Sequence, residues 1–464
     1  MLKIIFLLLM AGGIPVAIAM AGASLIYIIT AGNLPAFAVV HRMIGGIDSF
    51  PLLAVPFFIL AGNLMNNAGI TNRIYNFALA LVGWLKGGLG HVNVVGSVIF
   101  AGMSGTAIAD AAGLGTIEIK AMQDHGYETE FAVGVTAASA TLGPIIPPSL
   151  PFVIYAMMAN VSVGALFLAG ILPGLLMALL MMLTVAYFAH KNGWGGDIKF
   201  SAAKFGKALI EMAVVAGWPT AVYYAIQFGA QPQLTVAVAL VVLFAADRHF
   251  RFQAVLPIMT PVLLIGGMTT GLFTPTEGAI AACAWAMVLG LAWYKTLSWT
   301  MFVKVCLDTV ETTSTVMFIV AAASIFGWML TATGVTAAIA EFVLGVTKEP
   351  WLFLLMANLL MLFVGCFLEP TAAITILVPI LLPIARQLGV DPVHFGLVMV
   401  LNLMIGLLHP PMGMVLFVLA RVAKLSVERT TVAILPWLVP LLVSLVVLTY
   451  VPAIVLWLPR AMGM

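Results

Sequence analysis

Gly143-Pro144-Ile145-Ile146-Pro147-Pro148 and Gly406-Leu407-Leu408-His409-Pro410-Pro411 lie 263 residues apart in otherwise apolar sequence. A proline pair removes two backbone donors and ends a helix. Hydrocarbon cannot satisfy the carbonyls this releases, so such a break survives at membrane depth only against protein, water or an ion. Each stretch therefore reads as the unwound middle of a broken helix, the device by which membrane proteins build solute sites near the bilayer midplane.

The surrounding composition agrees. Of 464 residues, 63% are hydrophobic and 8% charged, against about a quarter charged in a soluble domain. The expected fold class is an all-α polytopic membrane protein. A net charge of +2 gives no reason to expect a nucleic-acid partner. The three cysteines have no metal-ligand spacing. No Gly-x-x-x-x-Gly-Lys-Ser/Thr, His-Glu-x-x-His or Gly-x-Ser-x-Gly motif occurs, so nucleotide hydrolysis by that loop and the matching hydrolase chemistries are not expected.

Outward from the breaks, residues 131–160 and 393–421 are the expected broken helices. Residues 91–127 and 350–388 are each two apolar arms too short to cross a bilayer, joined at Ser104-Gly105-Thr106 and at Gly365 to Thr371. They read as re-entrant hairpins. Continuous spans are expected at 4–29, uncleaved despite its signal-like start, and at 51–68, 163–189, 279–294 and 430–457. A new helix is expected to be capped at Thr71. His190 to Lys207 reads as an exposed loop and interfacial helix, and 212–229 and 233–246 as further apolar segments. The second half repeats the first: Gly102, Gly126 and Gly143 recur as Gly365, Gly389 and Gly406 at one interval of 263 residues.

If the two hairpin tips and two breaks converge, they supply hydroxyls from Ser104, Thr106 and Thr371. They also supply carbonyls around Gly105, Gly143, Gly365 and Gly406. Oxygen ligands of this kind suit Na⁺, and half-helix N-termini suit a carboxylate. Pro144, Pro147, Pro370 and Pro410 belong to the same tips and breaks. Among acids in apolar surroundings, Glu369 sits at a tip, Asp110 lies beyond its tip, and Glu277 reads as a first-turn residue of the next helix. Asn63 and Asn402 are either site residues or interhelical contacts. His409 is either a packing residue or a pH-sensitive member of the site.

The run Ser104 to Asp110, then Gly126-Tyr127 and Gly143 to Ser149, is similar to the large membrane subunit of TRAP (tripartite ATP-independent periplasmic) transporters. So are Gly271 to Glu277 and Gly389 to Gly413. The resemblance implies an elevator-type transporter of the bacterial inner membrane with two inverted repeats. It implies a small four-helix membrane subunit and a periplasmic solute-binding protein as partners, Na⁺ as coupling ion, no cofactor and no catalysis. The solute would be an organic acid such as a dicarboxylate, keto acid or sugar acid. Carried onto this chain, Na⁺ sites would lie near Ser104, Thr106, Gly365 and Thr371.

The resemblance also implies a division of labour. Transport parts would span 91–162 and 350–425, and scaffold parts 1–90, 163–312, 313–349 and 426–464. Two departures stand out: His409 replaces the threonine more usual before the second proline pair, and about 214–250 reads as an extra helical pair. A stand-alone dicarboxylate symporter and an intramembrane enzyme using Ser104 or Asp110 are the alternative readings.

Overall fold

Proline and glycine set the lengths of the helices. The computed structural model describes residues 1–31, 35–229, 231–250, 252, 254–269, 272–410 and 413–464. Among these the one β pairing is an isolated antiparallel bridge between Lys86 and Gly196; the regular structure is otherwise helical. Among the described residues, six helices are long and apolar enough to cross a membrane: Val163–Lys191, Ala202–Ile226, Pro275–Trp293, Trp299–Ala332, Pro370–Gln387 and Val427–Tyr450. The last shows how such a helix divides its faces. Val432, Leu435, Val439, Val443 and Val446 are exposed, while Ile434, Trp437, Leu441, Leu445 and Leu448 are buried. Both stripes are apolar, as they must be when one side meets protein and the other lipid.

Several expected boundaries move. The span at 4–29 is two helices, Leu2–Ala11 and Val16–Ala31. Gly13 turns the chain at φ +77°, and Pro15, with no N–H to donate, begins the next segment. The span at 51–68 is a 3₁₀ turn, Phe50–Leu53, followed by Ala54–Asn67. The next helix, Ile70–Val82, is capped by Gly69 at φ +66°. Thr71 lies inside it and reaches back to Asn66 Oδ1 at 3.4 Å. Part of the polar stretch before 207 joins the helix Ala202–Gln227, which continues through Pro219. With Pro232–Phe250 it forms a helical pair across the region read as extra. The last span stops at Tyr450, and Pro452 starts the short helix Pro452–Ala461.

Helices end at the expected tips and breaks, and the first hairpin region holds three helices where two arms were expected. The first hairpin is Gly88–Ser104, then Ala107–Ala112 and Leu114–Asp124 parted by Gly113; the second is Pro350–Gly365 and Pro370–Gln387. The broken helices are Thr129–Ala140 with Leu150–Ala159, and Pro392–Gly406 with Met414–Ala423. Glu277 accepts from the Thr274 backbone N–H at 2.8 Å, and Thr274 accepts from Glu277, a reciprocal capping box.

These elements pack on one another through side-chain complementarity and few polar ties. Thr129–Ala140 lies along Val427–Tyr450, and Leu150–Ala159 along Pro370–Gln387. Gly134 lets Trp437 rest on its backbone, where a Cβ would meet the indole. Trp437 continues into a cluster with Phe131 and Phe188. Arg386 Nη2 donates to Ala159 O at 2.6 Å, tying one hairpin to the opposite broken helix.

Tyr155 is fully buried and donates to Pro392 O at 2.7 Å, linking the two broken helices. Tyr155→Phe keeps the ring and removes one hydrogen bond, so it should cost about 1 kcal/mol. Thermal unfolding in detergent measures this, and an unchanged midpoint would show that the bond contributes nothing.

Candidate functional site

The two tips and two breaks meet around one cavity of about 480 Å³. Its wall includes Ser104, Thr106 and Ile108 from the first hairpin and Pro144 and Leu150 from the first break. Glu369, Pro370 and Thr371 come from the second hairpin, and Leu407 and Met414 flank the second break. The rest of the lining comes from elsewhere in the chain: Ile59, Gly62, Asn63 and Asn66 on Ala54–Asn67, and Thr312 and Val316 on Trp299–Ala332.

Glycine makes the convergence possible. Gly105 ends the first arm at φ +64°, a conformation open to glycine at little cost. A Cβ there would lie 2.7 Å from Pro148 O, and one on Gly143 would lie 2.9 Å from Thr106 O. First tip and first break thus touch backbone to backbone. The second pair repeats the arrangement: a Cβ on Gly406 would lie 2.7 Å from Gly365 Cα. Gly62 brings the facing helix equally close, since its Cβ would sit 3.0 Å from Ser104 O.

The polar groups have distinct situations. Ser104 is buried, and its hydroxyl makes no hydrogen bond to the described residues. Thr106 caps Ala107–Ala112, accepting from Ala109 N at 3.2 Å. Glu369 caps Pro370–Gln387: one oxygen accepts from Thr371 Oγ1 at 2.7 Å, the other from Ala372 N at 3.2 Å. Ser149, next to the Pro147–Pro148 cis bond, caps Leu150–Ala159 and donates to Pro144 O.

Other expected site residues lie off the wall. Gly105, Gly143, Pro147, Gly365 and Gly406 are not among the cavity's lining residues. Asn402 is fully buried and donates to Asn358 O at 3.0 Å and Asn358 Oδ1 at 2.8 Å, an interhelical contact. His409 is half-buried, with Nδ1 3.0 Å from Ile405 O, and Pro410 is exposed. Pro411 and Gly271 fall outside the described residues.

Asn66 and Thr312 were not singled out by their positions in sequence. The hydroxyl run Thr312-Thr313-Ser314-Thr315 within a long apolar helix is the signal that marks one of them.

A second polar assembly braces the first hairpin away from the cavity. Asn93 Nδ2 donates to Glu118 Oε2 at 2.6 Å and to Thr136 Oγ1 at 2.8 Å. Ser139 donates to Asn93 Oδ1 at 2.7 Å, and Ser97 to Ser139 at 3.0 Å. Asn93, Glu118, Thr136 and Ser139 are all buried, as is Asp110 nearby. The network joins both arms of the hairpin to Thr129–Ala140.

Residues 3–454 match the family model described as "Tripartite ATP-independent periplasmic transporter, DctM component". The chain is 41% identical to the sialic acid TRAP transporter large permease protein SiaM of Vibrio cholerae, covering 97% of this chain and 96% of that protein. It is 33% identical to the C4-dicarboxylate TRAP transporter large permease protein DctM of Rhodobacter capsulatus, over 98% and 97%. Among solved structures it is similar in fold to the Alcanivorax borkumensis YdaH transporter, with TM-score 0.57, 16% identity and coverage of 91% and 88%. It is also similar to Neisseria gonorrhoeae MtrF, with TM-score 0.60, 13% identity and coverage of 94% and 84%. At those identities the likeness concerns the fold alone.

Proposed function

Since the chain belongs to the DctM family of tripartite ATP-independent periplasmic transporters, we propose that it imports an organic acid across the bacterial inner membrane, driven by a Na⁺ gradient. Its relatives are permeases, and it is a multi-pass membrane transporter rather than an enzyme. On this reading a periplasmic binding protein delivers the solute, and a small four-helix membrane subunit completes the transporter. The solute occupies the cavity at the two hairpin tips.

The observation that carries the reading is the composition of the cavity wall. Two hairpins and two broken helices supply part of the lining, and Ala54–Asn67 with Trp299–Ala332 supplies the rest. A solute held there lies between the parts assigned to transport, 91–162 and 350–425, and those assigned to the scaffold. An elevator motion of one against the other, with the two halves as inverted repeats, would carry it across. The braced first hairpin supports movement as a unit.

The residues fit Na⁺ as the coupling ion. Ser104 brings to the tip a buried hydroxyl with no hydrogen-bond partner among the described residues, and Thr106, Thr371 and the carbonyls around Gly143, Gly365 and Gly406 are oxygen donors of the kind a hard cation takes. Bound there, the ion would offset the charge of an anionic solute.

The test is uptake in proteoliposomes holding the chain and its small subunit, with binding protein outside and an inward Na⁺ gradient. Accumulation should require both Na⁺ and the binding protein. Ser104→Ala and Thr371→Val should raise the Na⁺ concentration for half-maximal uptake about tenfold, the effect of losing ~1.4 kcal/mol of binding. Accumulation without binding protein would replace this reading with a stand-alone symporter. Equal uptake on a proton gradient without Na⁺ would remove Na⁺ as the coupling ion.

A further inference from the structure

We propose that a polar pocket walled by Arg73, Arg248 and Lys295 binds the headgroup of an anionic phospholipid, with an acyl chain in the apolar groove beside it. The pocket shares no lining residue with the cavity at the hairpin tips, and nothing in it depends on the solute or the coupling ion.

Three segments far apart in the chain build this pocket, whose volume is about 750 Å³. Arg73 comes from near the start of Ile70–Val82, and Asp247 and Arg248 from the last turn of Pro232–Phe250. Trp293, Tyr294 and Lys295 come from the end of Pro275–Trp293 and the turn after it. Aromatic rings fix the charges. The Arg73 guanidinium lies 3.9 Å from the centroid of the Tyr294 ring, a cation–π contact. Trp293 Nε1 donates to Asp247 Oδ2 at 2.9 Å. Lys295 stands at φ +53°, a left-handed conformation uncommon for a residue with a side chain.

Charge gives the pocket its preference. The wall carries three cations against one carboxylate, Asp247, which is buried and already engaged by Trp293. Arg73, Arg248 and Lys295 make no hydrogen bond or ion pair to the described residues. Helix ends do not cancel the surplus. The C-terminal ends of Pro232–Phe250 and Pro275–Trp293 bring about half a negative charge each, and the N-terminal end of Ile70–Val82 about half a positive one. Lys207 and Glu211, the next charged neighbours, are one of each sign. A surplus of unpaired Arg and Lys is what a phosphate group binds.

The neighbouring surface favours a lipid over a free anion. A groove of about 480 Å³ shares Phe252 with the pocket and is apolar along Val214, Trp218, Leu243 and Phe250. Val214 and Trp218 belong to Ala202–Ile226, one of the helices able to cross a membrane. Trp293 and Tyr294 suit the headgroup level of a bilayer. A basic pocket between membrane helices takes the headgroup of an anionic lipid, and the adjoining groove takes a chain. A soluble anion would use the pocket and leave the groove empty.

Native mass spectrometry of the full chain in detergent tests this, with phosphatidylglycerol, phosphatidylcholine and inorganic phosphate as probes. Phosphatidylglycerol should bind at least about tenfold more tightly than either of the others. Arg248→Gln with Lys295→Gln changes two exposed side chains and should weaken phosphatidylglycerol about thirtyfold, the scale of two basic contacts with anionic lipid. Lys348→Gln with Arg460→Gln removes the same charge at exposed positions elsewhere and should leave binding unchanged. Equal binding of the two lipids, or equal loss in the two double variants, overturns the assignment. Inorganic phosphate that displaces phosphatidylglycerol at equal concentration makes the pocket a free-anion site and overturns the lipid. The comparison of probes on the native chain holds whether or not a variant folds.

Discussion

Gly406→Ala should reduce uptake below about a tenth of the native rate and destabilise the chain by about 1–3 kcal/mol. The added Cβ would lie 2.7 Å from both Cα and carbonyl carbon of Gly365. Neither atom belongs to a flexible side chain, so relief requires Pro350–Gly365 and Pro392–Gly406 to separate along a packed contact. Separation moves Glu369 and Leu407, which stand on the cavity wall just beyond these two glycines. The damage therefore reaches function as well as stability. Gly345→Ala is the matched control: its Cβ meets nothing within 4 Å on the helix Val335–Val346, and it should be neutral or stabilising by up to about 1 kcal/mol. Parallel uptake and unfolding measurements on the two variants decide the matter, and native uptake by Gly406→Ala would show that the tip and break need not touch.

Asn93→Ala should be the most destabilising single change in the first hairpin, about 3 kcal/mol. It strips a donor from Glu118 and from Thr136 and an acceptor from Ser139, all inside the apolar core. The cost is that of leaving these groups unsatisfied, not of one lost bond. Asn93→Ala with Glu118→Met removes the stranded acid as well and should recover part of the loss, with a coupling of about 1–3 kcal/mol in the double-mutant cycle. Strict additivity of the two changes would mean that the network is not a unit.

Local chemistry accounts for what could be read in advance. Pro147-Pro148 and Pro410-Pro411 each remove two successive backbone donors, where a single proline such as Pro219 is accommodated inside a helix, so the breaks were legible without any knowledge of neighbours. Glu277 as a first-turn acid followed from Thr274-Pro275 by the same local logic. The misreadings were of positions where helix and break are nearly balanced. Gly12 to Pro15 interrupts an apolar run too uniform to mark the joint, and Gly69 takes the cap that Thr71 could have provided.

Asn402 shows the limit most directly. An asparagine in an apolar helix has the same appearance in sequence whether it faces a solute or another helix, and its partner Asn358 is 44 residues away. Asn66 and Glu118 are the converse cases, one drawn to the cavity and the other to a buried network by helices distant in the chain.

The sequence by itself determined a membrane-spanning helical chain with two hairpins, two broken helices and their repeated spacing, because hydropathy and the missing proline donors act over a few residues. Only the tertiary structure decided that Ala54–Asn67 and Trp299–Ala332 contribute to the cavity lining, and that Asn63, Asn66 and Thr312 share it with Glu369. Which polar groups share a cavity depends on helix packing, and here that packing turns on backbone contacts at Gly62, Gly105 and Gly406 between segments far apart in the chain.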